Sequence, residues 1–125
     1  MKNVFSIQNV ARRREAIYVL AKSETRKAFL MLCAVLLKDP SSVIRHEAAF
    51  LLGSTKNKKA IPDLIRAIKN DSSDLVRHEA IEALGDLGVK TNVVEKLLRK
   101  LKSDKIQFVK ETADVALATL HLRRK

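Results

Sequence analysis

Apolar positions recur at helical spacing along most of the chain. Taking Ile44 as the origin and 100° per residue, Ala48, Leu51, Leu52 and Thr55 fall within about 80° of it and define one stripe. Val76, Ala80, Ala83, Leu84 and Leu87 define a second stripe with the same phase. Further helical patterns run from Thr25 to Lys38, from Ile61 to Lys69 and from Val93 to Lys102. With only two prolines, three glycines and few aromatic or β-branched runs, the chain reads as all-α.

The stripes repeat because the sequence does. Ala11 to Ala21, Val43 to Gly53, Leu75 to Gly85 and, more weakly, Phe108 to Ala118 align at spacings of 32, 32 and 33 residues. Each of the last three copies follows one of the further helical patterns, so the repeating unit is a helical hairpin. A hairpin of this size cannot bury its apolar face alone, and stacking in line solves that. The expectation is a short solenoid of about four repeats in a single domain, residues 1–125. The repeats fall at roughly 1–22, 24–55, 60–88 and 92–123. Copies one and four are degenerate, as end units are, and too few residues precede Val10 to form a full first helix.

Between the patterns, Asp39-Pro40-Ser41-Ser42, Asp71-Ser72-Ser73-Asp74 and Ser103-Asp104 offer side-chain oxygens to the free amides of the following helix. Pro62 suits a first helical turn. Gly53, Gly85 and Gly88 are expected to be the left-handed residues that end helices.

Composition changes this picture only at its edges. The formal charge is +11 and the pI about 10.1, which raises polyanions as partners. The cations, however, scatter through Arg12-Arg13-Arg14, Lys56 to Lys59, Arg99, Lys100, Lys102 and the tail Arg123-Arg124-Lys125, without interleaved aromatics for base stacking. Specific nucleic-acid binding is therefore not expected. The lone Cys33, within an apolar run, reads as a core residue in a reducing, cytoplasmic setting. That run is shorter than the roughly 20 residues needed to cross a bilayer, so the chain is expected to be soluble.

The chemistry concentrates in one repeated word, Arg45-His46-Glu47-Ala48 and Arg77-His78-Glu79-Ala80. On the helical angles the histidines sit about 200° from the stripe and the glutamates about 300°, away from the core and on its flank. Adjacent helices stack roughly 8 to 10 Å apart, which brings the two pairs together on one surface. First-turn acids favour the helix dipole and explain the glutamates; they do not explain outward histidines. Copies one and four carry Arg14-Glu15 and Glu111-Thr112 instead, so the fold does not demand the pair. Imidazoles beside carboxylates suit iron, manganese, zinc or nickel, and without nearby thiolates an open reactive site is favoured over a closed structural one.

The paired Arg-His-Glu-Ala segments, the Leu-Gly that follows them, and the Ala60-Ile61-Pro62 helix start resemble the deoxyhypusine hydroxylase family, which is built from HEAT-like hairpins in two similar halves of four. The resemblance covers one half. It implies an iron-dependent monooxygenase in which two irons lie between the halves, bind dioxygen and hydroxylate the deoxyhypusine side chain of a translation factor. Carried over by position, it implies His46, His78 and Glu79 as ligands of one iron (Fe2+ or another divalent metal), and Glu47 as a catalytic carboxylate facing the substrate amine or iron-bound solvent.

Four hairpins hold half of such a site, so the expectation is a homodimer in which His46, Glu47, His78 and Glu79 of both chains enclose a di-iron centre. The competing expectation is a non-catalytic HEAT-like scaffold for protein–protein, or secondarily nucleic-acid, interaction, with the His-Glu pairs as inherited decoration.

Overall fold

The computed structural model describes residues 3–102. The fourth copy at 108–118, the Ser103-Asp104 cap and the basic tail lie outside the described residues.

Helix α1 (Val10–Lys22) follows a single 3₁₀ turn at Val4–Ser6. Helices α2 (Arg26–Lys38) and α3 (Ser42–Ser54) form the second hairpin. A 3₁₀ turn at Lys58–Ala60 leads to the third, α4 (Ile61–Asn70) and α5 (Asp74–Asp86), and α6 (Thr91–Lys102) begins the next. The ends are set where polar side chains meet unpaired amides. Asn9, Thr25, Ser41 and Ser73 each accept a hydrogen bond from the backbone N–H three residues on, and Pro62 lies in the first turn of α4.

The odd-numbered helices form one layer, with α3 packed between α1 and α5, and α2 and α4 pack beside each other in the second. Both predicted stripes are buried: Ile44, Ala48, Leu51 and Leu52, then Val76, Ala80, Ala83, Leu84 and Leu87. Thr55 ends only half-buried at the foot of the first. They join Leu32, Leu36, Leu64 and Ile68 of the second layer in one continuous core, so each hairpin covers its neighbour.

Buried and half-buried arginines tie successive units together. Arg13 donates through Nε and Nη2 to Asp39 at 2.7 and 3.0 Å, and Arg45 likewise to Asp71 at 2.9 and 3.2 Å. The remaining Nη1 of Arg13, Arg45 and Arg77 donates to the backbone carbonyls of Ile7, Asp39 and Asp71 at 2.9, 2.8 and 2.7 Å. Each aspartate also accepts from the amide two residues on, Ser41 or Ser73, at 2.9 Å. The forked geometry matches guanidinium to carboxylate, and one side chain thereby fixes two turns. Arg45 and Arg77 belong to the scaffold, and Arg13 is removed from the supposed basic surface.

The glycine expectation needs correcting at two positions. Gly88 is left-handed, with φ 85°, and closes α5 with Val89 N–H donating to Leu84 carbonyl at 3.0 Å. Gly53 and Gly85 lie inside α3 and α5 instead. Gly53 is there for space: a Cβ would meet Ala83 Cα at 3.0 Å and Asp86 Oδ2 at 3.1 Å. The left-handed residue after α3 is Lys56, with φ 61°.

Candidate metal and substrate face

The exposed side of the α1, α3 and α5 layer carries a second set of contacts between units. In the first two copies, the residue that follows the scaffold arginine reaches the glutamate of the following unit. His46 Nε2 stands 3.2 Å from Glu79 Oε2, linking α3 to α5. Its counterpart in copy one is Arg14, which donates through Nε to Glu47 Oε1 at 3.2 Å and places Nη2 at 3.1 Å, linking α1 to α3. Both contacts span 33 residues, one more than the repeat. The nitrogen side chain of one copy therefore meets the acid of the next, not its own.

Glu47 has another partner: Tyr18 donates its hydroxyl to Oε2 at 2.6 Å, and the Arg14 guanidinium lies 5.4 Å from the centre of the Tyr18 ring. The two glutamates differ in consequence. For Glu47 burial is the largest single influence and works upward. The hydrogen bonds from Tyr18 and Arg14, with the charges of Arg14 and His46, outweigh it and hold the carboxyl below its ordinary range. For Glu79 burial again acts upward first; His46 opposes it, but the charges of Glu82, Asp86 and Glu47 reinforce it, and the carboxyl is raised.

Of the predicted site residues, the fold brings His46 and Glu79 into contact and sets Glu47 on the same layer with Arg14 and Tyr18. His78 is half-buried on α5, beside Glu79 in sequence. Among the described residues no group of three or more histidine, cysteine or acidic side chains is arranged to hold a metal. The donors that do meet nevertheless fit one. Two ligands at about 2.1 Å from an ion are about 3.0 to 3.4 Å apart for octahedral or tetrahedral angles, and 3.2 Å lies between these.

Arg14 and Tyr18 were not singled out as site residues. The signal available was positional: Arg14 aligns with His46 and His78, and Tyr18 with Phe50, which is 46% exposed on the same face.

Charge is divided between the layers. Helices α1, α3 and α5 carry six Lys or Arg against six Asp or Glu, a balance of zero; α2, α4 and α6 carry nine against two, a balance of +7. Three of the six cations in the first group are the arginines used by the scaffold. The His-Glu face belongs to the near-neutral side of a basic protein, which repels a cationic ligand less than the other side does. A cleft of about 690 Å³ lies elsewhere, lined by Leu20, Phe29, Cys33, Thr55 and Asp63 among others and by none of the His-Glu residues. Burial, then Asp63, pushes the Cys33 thiol up to about 12, consistent with an inert core residue. No described helix is long and apolar enough to cross a membrane.

Residues 29–118 match the HEAT-repeat family. The chain belongs to that family. No curated protein matches it. Among solved structures, human deoxyhypusine hydroxylase in complex with glycerol superposes with a TM-score of 0.69 and 26% identity, over 95% of this chain and 41% of that one. The chain thus spans less than half the length of the enzyme it resembles and matches a HEAT-like half of it.

Proposed function

We propose that this chain is one half of an iron oxygenase of the deoxyhypusine hydroxylase kind, completed by a second copy of itself. One observation carries the reading. The His46 and Glu79 side chains approach to ligand spacing across two hairpins, in a fold that matches the human enzyme over 95% of the chain. His46, Glu79 and His78 would hold the metal, and the second protomer would bring the same three residues across a two-fold axis. Iron bound there would supply the activation of dioxygen, which no amino-acid side chain performs. The chain's own part is to hold the donors rigidly through the Arg-Asp scaffold beneath them and to present the Glu47 carboxylate to the cationic amine of deoxyhypusine. The near-neutral layer that carries the site favours such a substrate; a strongly basic one would repel it.

The test is incubation with ferrous iron, oxygen and the deoxyhypusine-bearing translation factor, followed by mass spectrometry. The expected result is a gain of one oxygen on that side chain, and its absence in iron-loaded protein would sink the reading. Light scattering should show a dimer when ferrous iron is present; a monomer with and without iron would remove the shared site. The second reading, a non-catalytic HEAT scaffold, draws on the absence of any three-donor group among the described residues. Metal content that is equal in the wild type and in His46→Ala and His78→Ala variants would favour it.

A further inference from the structure

Glu47 and Tyr18 together make a seat for an organic cation, and the chain fills that seat with its own Arg14. The carboxylate supplies the counter-charge and the ring supplies a π face, the two elements from which alkylammonium sites are built. Oε1 is taken by Nε and Nη2 of Arg14. Among the described residues Oε2 accepts only the Tyr18 hydroxyl, and a carboxylate oxygen has acceptor capacity for one further donor.

The two partners of Glu47 are unequal. Tyr18 is part-buried and its bond is short. The Arg14 side chain is 52% exposed while Glu47 is 18% exposed, so this is a surface ion pair of the weak kind. An arginine at this place is also not required by the repeat, since the aligned positions are His46 and His78.

We propose that the Tyr18–Glu47 notch binds a primary alkylammonium group, and that Arg14 is a built-in competitor which the ligand displaces. The proposal rests on the reading of Glu47 as the substrate-side carboxylate and adds the ring that shares the cation and the side chain that must leave. It also makes the first hairpin, degenerate as a repeat, a working part of the site. A guanidinium that rotates away keeps its charge in water, so displacement exchanges one cation for another at Glu47 and needs no proton transfer.

The decisive experiment titrates the full chain with 1,4-diaminobutane while following the side-chain carboxyl carbon of Glu47 by NMR. Arg14→Gln is expected to tighten binding about twofold to fivefold, the factor expected on removing a competing surface ion pair. Tyr18→Leu, which removes the ring, should weaken it about threefold to fivefold, and Glu47→Gln should abolish it. A purely structural role for Arg14 predicts equal or weaker binding in Arg14→Gln, and either result overturns the proposal. So does an Arg14→Gln protein whose Glu47 signal does not respond to the amine. Oxygen transfer to the translation factor with no response of Glu47 to amine would discard this seat and leave the oxygenase reading standing. Tightening in Arg14→Gln without oxygen transfer would do the reverse.

Discussion

The α1–α3 and α3–α5 seams make the same contact with different residues and reach opposite electrostatic states. In the first, Arg14 meets Glu47 and the carboxyl is held below its ordinary range; in the second, His46 meets Glu79 and the carboxyl is raised. The contact pattern is shared, because each seam has the same 33-residue reach and a scaffold arginine one residue earlier. Chemistry is what differs. A guanidinium is permanently charged and has no lone pair to give, so it can neutralise its glutamate but cannot join it in holding a metal ion. A neutral imidazole has a lone pair, so the second seam keeps two donors available to an ion. The repeat therefore supplies a position, and a single residue decides whether it holds a permanent ion pair or a donor pair open to an ion.

Making the second seam a copy of the first should have the largest effect. His46→Arg is expected to keep the fold and the contact to Glu79 while reducing iron in the purified protein at least tenfold, measured by elemental analysis with circular dichroism as the control. Iron retained at the wild-type level would show that His46 is not a ligand.

Removing what both seams stand on comes next. Asp39 lies between the units, with its side chain fully buried against Arg13. Asp39→Ala should cost about 3 to 5 kcal/mol in urea unfolding, because it strands a buried guanidinium. Asp71→Ala should cost less, since the Arg45 pair is more exposed, at 13% and 7% against 7% and 0%. Equal losses would mean that burial does not grade the scaffold.

These scaffold contacts also mark how far the sequence could be read. The hairpin register and the two buried stripes follow from periodicity, because burial depends on angle about a helix and angle depends on spacing; the structural role of Arg45 is legible instead from the basic residue kept at the aligned positions, Arg13, Arg77 and Lys110. Contacts between units were harder. Whether His46 meets Glu47 of its own word or Glu79 of the next depends on rotamers and on the offset between stacked helices, and the period of 32 fixes neither. Tyr18 was hidden for the same reason, 29 residues from Glu47. The glycines misled because a glycine near a helix end has two uses, left-handed backbone or close approach, and only the neighbour across the seam, Ala83, distinguishes them.

The opposite carboxyl shifts predict opposite pH responses in the metal-free chain. Glu79, raised in the fold, binds more protons folded than unfolded, so its contribution is retained at low pH and lost as pH climbs from the ordinary glutamate value of 4.5 through the raised one. Glu47, lowered in the fold, stabilises above that ordinary value and loses its contribution as pH falls through the depressed one. Subtracting the stability profile of Glu79→Gln from that of the wild type should leave a slope falling with pH. The same subtraction for Glu47→Gln should leave a rising slope. Slopes of one sign would erase the distinction between the seams.

The smallest change bears on why the second seam is so close. Gly53 lies in α3 against Ala83 of α5, where an added Cβ would come within 3.0 Å of backbone. Backbone cannot swing aside, so Gly53→Ala must part the two helices by a few tenths of an ångström, at an overpacking cost of about 1 to 3 kcal/mol. The gain in helix propensity returns about 1 kcal/mol, leaving a net loss of about 1 kcal/mol in thermal or urea unfolding. The more informative readout is local. Parting α3 from α5 stretches the 3.2 Å approach of His46 to Glu79 but leaves Arg14, Tyr18 and Glu47 on the other seam as they were. Metal affinity should therefore drop while amine binding at Glu47 holds, and a parallel loss of both would show that the two seams move as one body.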